Sequence, residues 1–103
     1  MNIPVQIQAD KARISLPHSF DLHAQTDFRH AYAGVLDDPE VKELELDFTA
    51  VDYIDSSALG NLLLLRQRAE NQVQSIRFTQ CKPDVMSAFS MANFHRIFDI
   101  RRA

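Results

Sequence analysis

The sequence predicts an α/β domain built on a mixed β-sheet, with an opening hairpin, then parallel strands, and helices packed against the sheet. Two observations carry this. Apolar and polar residues alternate with period two in several short stretches, the mark of strands with one covered face, as in Leu44-Glu45-Leu46-Asp47-Phe48. Between those stretches lie longer segments whose apolar residues recur at three-to-four spacing, the mark of amphipathic helices. The resulting order, strand, strand, helix, strand, helix, strand, helix, strand, makes each helix a crossover between parallel neighbours.

Val5 and Ile7 alternate with Gln6 and Gln8, and Ala12, Ile14 and Leu16 alternate with Lys11, Arg13 and Ser15, so two strands flank a turn at Ala9-Asp10. Pro17 lacks a backbone donor and ends the second strand, which leaves Pro17-His18-Ser19-Phe20 as a loop leading into a helix. Asp21 is suited to cap that helix, whose apolar positions are Ala24, Phe28, Ala31, Tyr32, Val35 and Leu36. Asp37-Asp38-Pro39 breaks it, since acids oppose the dipole at a helix C-terminus. The strand through Leu44, Leu46 and Phe48 leads into Val51–Leu65. Ala58, Leu59, Leu62, Leu63, Leu65 and Ala69 then predict a helix to about Glu70, buried on much of its circumference, with Asn61, Arg66, Arg68 and Glu70 towards solvent. Ile76 and Phe78 mark another strand, Pro83 suits the first turn of a short helix to about Met91, and Phe94 to Ile100 reads as a last strand.

The functional signal is concentrated in Asp55-Ser56-Ser57, at the mouth of the leucine-rich helix. All three side chains can accept hydrogen bonds from the free N–H groups of a first helical turn. One cap position takes only one of them. A remaining hydroxyl is then open to covalent modification, at a place where the positive end of the helix dipole tolerates a phosphate.

Asp55-Ser56-Ser57-Ala58-Leu59-Gly60 resembles the phosphorylation motif Asp-Ser-Ser-Gly/Ala-Leu-Gly of the STAS-domain anti-sigma factor antagonists of bacteria, and the order of elements is similar over nearly the whole chain. The resemblance implies a STAS-like sheet and a single STAS domain over residues 1–103. It also implies that Ser56 is the phosphoacceptor and that Asp21, Asp55, Ser57, Ala58, Leu59, Gly60 and Asn61 surround a partner-docking surface. For Leu59, core packing is an equal alternative; for Asp55, the alternatives are capping the helix or positioning the hydroxyl for a kinase. In the loop that carries Gly-Glu-Leu-Asp in the family, only Phe20 and Asp21 match in kind, with His18 and Ser19 replacing the Gly-Glu pair. The implied partners are an anti-sigma factor, often itself a serine kinase, which binds the unphosphorylated form and thereby frees a sigma factor, and a serine phosphatase that reverses the modification. The second reading is a constitutive STAS subunit of a membrane transport (ABC-type) complex; a nucleotide or small-molecule sensor is third.

Composition bounds these readings. A net charge of −3 offers no cationic footprint, so no direct nucleic-acid contact is expected. Cys81 is the only cysteine, which rules out an internal disulfide and fits a buried, inert thiol in a reducing cytoplasm. The start lacks the basic and apolar regions of a secretory signal, and no apolar run reaches the roughly 20 residues of a membrane span. Gly34 and Gly60 are the only glycines, so there is no glycine-rich phosphate loop, and any phosphoryl donor must be bound by another protein. Ser56 lacks a nucleophile-elbow context, and His18, His23, His30 and His95 are candidates for a base by type alone. No His-x-x-x-His pair exists, and solvation and capping account for Asp47, Asp52 and Asp55 without a metal. A non-enzyme without metal or cofactor is therefore expected.

Overall fold

A computed structural model describes residues 3–103. Its five-stranded sheet has the order β1 (Val5–Gln8), β2 (Lys11–Ser15), β4 (Glu43–Asp47), β6 (Ser75–Cys81), β7 (Asp99–Arg102). β1 and β2 are antiparallel and every other pair in this sheet is parallel, as the sequence predicts. The crossovers run through α1 (Gln25–Leu36), α2 (Ser56–Ala69) and α3 (Pro83–Met91). All three step across the sheet in one direction, so right-handed connections place them on one face. Burial follows that arrangement: Ala12, Ile14, Leu44, Leu46 and Phe78 are buried beneath the helices, while Lys11, Arg13, Glu43 and Asp99 face outward.

Glu45 is the exception on the outer face. The alternation places it in solvent, yet it is only 5% exposed. Lys11 Nζ (3.1 Å), Arg13 Nη2 (3.1 Å) and Thr79 Oγ1 (2.6 Å) converge on its carboxylate and cover it. Burial pushes Glu45 up, but the hydrogen bonds from Thr79, Lys11 and Arg13 outweigh it and hold the carboxyl at about 2.

Several elements differ from the sequence reading. Ser19–Phe20 is not loop but a short strand, β3, paired in parallel with β5 (Tyr53–Ile54) in a small second sheet. Two-residue strands carry too little alternation to be read. α2 begins at Ser56 and buries one stripe, Ala58, Asn61, Leu62, Leu65 and Ala69. Leu63 is 44% exposed, so the leucine run does not make the helix buried on most sides, and Asn61 lies inside rather than towards solvent. The last strand is Asp99–Arg102, preceded by a 3-10 turn at Phe94–Arg96. Phe94 and Phe98 fill the core from that turn, Phe98 at 4.5 Å between ring centroids from Phe78, which imitates strand alternation. β6 continues to Cys81 through a bulge after Phe78, with Gln80 at φ 59°.

A chain of rings ties the core to the motif. Phe20 packs edge-on against Phe28 of α1 (5.0 Å) and Phe48 at the end of β4 (6.3 Å), and Phe48 meets Phe89 of α3 (5.4 Å). Phe20 is thereby fixed immediately before Asp21, and the loop it anchors is held against the start of α2.

Candidate functional site

Asp55 organises the site. In extended conformation at φ −114°, ψ 178°, it is the N-cap of α2. Its Oδ1 accepts from the backbone N–H of Ala58 (2.9 Å), and its Oδ2 accepts from that of Leu22 (3.1 Å). One carboxylate thus closes the first turn of α2 and clamps the neighbouring 3-10 turn, Leu22–Ala24, to it. Asp21 caps that turn, its Oδ1 accepting from His23 N (2.9 Å). The sequence places Asp21 at a helix start; the element it caps is this short turn, and α1 follows from Gln25.

With the cap taken by Asp55, Ser56 is the first residue of α2, exposed, and its hydroxyl makes no hydrogen bond to any described residue. Ser57 is half-buried behind it. Leu22 (57% exposed) is bonded through its N–H to Asp55, and Tyr53 (55% exposed) precedes Asp55 by two residues in the chain. They are large apolar or amphipathic side chains left in solvent at the mouth of the helix.

A second set of contacts steadies the approach. His18 O accepts from Asp52 N (2.9 Å), the His18 Nδ1 and an Asp52 carboxylate oxygen lie 2.8 Å apart, and Lys82, just before α3, bonds the other oxygen of Asp52. The Lys82 hydrogen bond, with its charge and that of His18, holds the exposed Asp52 carboxyl below its ordinary range. Beside this loop runs a groove of about 460 Å³, lined in part by Pro17, His18, Asp21 and His23.

The docking residues that the resemblance implies differ in exposure. Asp21, Asp55, Ser57 and Leu59 are partly exposed and Gly60 is exposed, whereas Ala58 (0%) and Asn61 (6%) point into the core. Helical periodicity explains the last two, since 58, 61, 62 and 65 share the buried stripe. Leu59 packs against the core while retaining some exposure. Leu22, Tyr53 and Lys82 were not legible beforehand. An apolar residue after a capping acid or within a two-residue strand reads as core, and a Lys82–Asp52 pair joins positions 30 apart in sequence.

The histidines are all exposed, and none hydrogen-bonds Ser56. Asp47 accepts from Thr49 N (2.9 Å), so Asp47, Asp52 and Asp55 each serve a different local partner. Among the described residues, no group of three or more His, Cys, Asp or Glu side chains is placed to hold a metal ion. Cys81 is buried and its thiol is pushed up to about 12, chiefly by that burial. No described helix is long and apolar enough to cross a membrane.

The family model described as "Mlab, STAS domain" matches residues 3–101. The chain belongs to the STAS domain family. A STAS-domain containing protein of Pseudomonas aeruginosa (strain UCBPP-PA14) is 38% identical over 87 residues, 84% of each chain. Among solved structures, an anti-sigma factor antagonist from Mycobacterium paratuberculosis superposes with TM-score 0.86 at 15% identity, covering 99% of this chain and 86% of that one. The Bacillus cell fate determinant SpoIIAA, in its phosphorylated form, superposes with TM-score 0.72 at 16% identity, covering 95% and 89%. At these identities, the structures establish a shared STAS fold.

Proposed function

We propose that this STAS domain is a cytoplasmic anti-sigma factor antagonist gated by phosphorylation of Ser56. The observation that carries the reading is the division of labour at the start of α2: Asp55 does the capping, so the exposed Ser56 hydroxyl has no structural task. The fold it shares with anti-sigma factor antagonists, among them SpoIIAA, which is also known in a phosphorylated form, supports the same role.

In this scheme, the unmodified face around Ser56, Leu22 and Tyr53 binds an anti-sigma factor and frees a sigma factor. A partner serine kinase transfers the γ-phosphoryl group of ATP to Ser56 Oγ, breaking the bond to the β-phosphate oxygen, and the hydroxyl proton leaves to a base of the kinase. Both oxygens of Asp55 accept backbone N–H groups, which supports cap and clamp as its role in this scheme. The domain itself is a binding module without catalysis, cofactor or metal, and a serine phosphatase restores it.

The phosphate adds about −1.5 to −2 charges. At the N-terminus of α2 that charge meets the positive end of the dipole, so the fold persists. On a partner surface built around Leu22 and Tyr53, it must instead be desolvated beside Asp52 and Asp55, so the complex is what fails. Incubation with the cognate kinase followed by mass spectrometry should place phosphate on Ser56 and none on Ser57. Ser56→Asp should lose the partner and keep its circular-dichroism spectrum. An unfolded Ser56→Asp protein refutes the gating. Recovery of a transport ATPase and permease from native cells, in place of an anti-sigma kinase, assigns the constitutive transport role instead.

A further inference from the structure

We propose that the outer edge of β1 pairs with β1 of a second copy of this chain, antiparallel, about a two-fold axis centred on Gln6. Among the described residues β1 is an edge strand paired with β2 alone, and all four of its residues are exposed. Val5 is 38% and Ile7 49% exposed.

The main-chain pattern identifies which groups are free. Ser15 N donates to Pro4 O (3.0 Å), and Gln6 and Gln8 stand opposite Arg13 and Lys11. Bonded and non-bonded pairs alternate along an antiparallel ladder, so residues 4, 6 and 8 direct their main-chain groups at β2. Those of Val5 and Ile7 point away from the sheet. A two-fold axis at Gln6 brings Val5 opposite the second copy's Ile7. Such a pair exchanges two N–H to O=C hydrogen bonds, and symmetry makes the pair twice. Every outward group of Val5 and Ile7 is then satisfied.

Side chains agree with the same register. Val5 lies opposite Ile14 and Ile7 opposite Ala12, residues of the helix-covered face, so Val5 against Ile7 extends that apolar face across the axis. On the other face Gln6 meets Gln6, and a side-chain amide both donates and accepts. The two edges of the sheet also differ in charge. β7 carries Asp99, Arg101 and Arg102, the kind of charged edge that blocks strand pairing, whereas Val5-Gln6-Ile7-Gln8 carries no charge and no proline. The occupant that fits a neutral edge with self-matching faces is another copy of itself.

The interface is short, so association should be weak, with Kd on the order of 100 µM. Sedimentation equilibrium from roughly 10 µM to 1 mM, a range spanning that Kd, should show the mass rise from 11.8 kDa towards twice that value. Over the same range, amide exchange should slow at Val5 and Ile7 and stay constant at Gln6. Ile7→Lys, an exposed charge on the edge, should weaken dimerisation about tenfold or more, with an unchanged circular-dichroism spectrum. Ser56→Asp should leave dimerisation unaltered, which keeps this result separate from the gating at α2. A wild-type mass of one chain at every concentration overturns the proposal. So do species larger than a dimer, or an Ile7→Lys protein that dimerises like wild type.

Discussion

Replacing Asp55 with Ala removes two hydrogen bonds at once, and the structure sets the size of the effect. Loss of the bond to Ala58 N (2.9 Å) uncaps α2, a change of about 1 kcal/mol. Loss of the bond to Leu22 N (3.1 Å), which is exposed, releases the 3-10 turn at up to about 1 kcal/mol more. The sum, up to about 2 kcal/mol, corresponds for a chain of this length to a melting temperature lower by up to about 8–10 °C. Urea unfolding followed by circular dichroism is the assay, with an unchanged slope required so that the midpoint reports stability. Asp55→Asn, which retains a single side-chain acceptor, should lose about half as much. Ser56→Ala should stay within about 0.5 kcal/mol of wild type, because that hydroxyl caps nothing. The reverse pattern, a near-neutral Asp55→Ala and a costly Ser56→Ala, would show that the serine is the cap, and would refute the assignment of a free hydroxyl at Ser56.

Other perturbations test the frame around the site. Because Glu45 is held at about 2 against an ordinary 4.5, its network favours the fold above about pH 4.5 and is lost as pH falls through 2. That gap is worth roughly 3 kcal/mol unscreened, and about 1–2 kcal/mol with Lys11 and Arg13 half exposed, so Glu45→Gln should flatten the acid limb of the stability profile by that amount. Gly60 lies within α2, has no positive φ, and a Cβ there would meet nothing within 4 Å. Gly60→Ala should therefore raise stability by about 0.5–1 kcal/mol in the same unfolding assay. The Tyr32 hydroxyl is fully buried and has no hydrogen-bond partner among the described residues, so Tyr32→Phe should be neutral or stabilising by about 1 kcal/mol; a loss of that size would reveal a bonded hydroxyl.

The fold was legible where pattern length was sufficient. Five-residue alternation in β2 and β4, and the spacing of Phe28, Tyr32 and Val35 in α1, each repeat often enough to fix a period. The motif was legible for a different reason: Asp55 and two serines before an apolar helix form a local constellation whose roles depend on backbone N–H groups nearby in sequence. What stayed hidden is what depends on tertiary proximity. The clamp from Asp55 to Leu22, the Lys82–Asp52 pair and the β3–β5 ladder each join segments about thirty or more residues apart. The burial of Glu45 depends on which side chains lie over it from neighbouring strands, and that is a matter of register. The resemblance puts Ala58 and Asn61 around the docking surface because its motif is contiguous in sequence, whereas a helix returns every third or fourth residue to the same side, and that side is buried here.

The claim on which the functional account turns is that one exposed hydroxyl controls recognition without controlling folding. Calorimetric titration of the cognate anti-sigma factor with this protein, unmodified and quantitatively phosphorylated on Ser56, tests it directly. The account predicts binding of the unmodified form, at least about thirtyfold weaker binding of the phosphorylated form, and superimposable circular-dichroism spectra. Equal affinity of the two forms, or loss of the folded spectrum on phosphorylation, would contradict it.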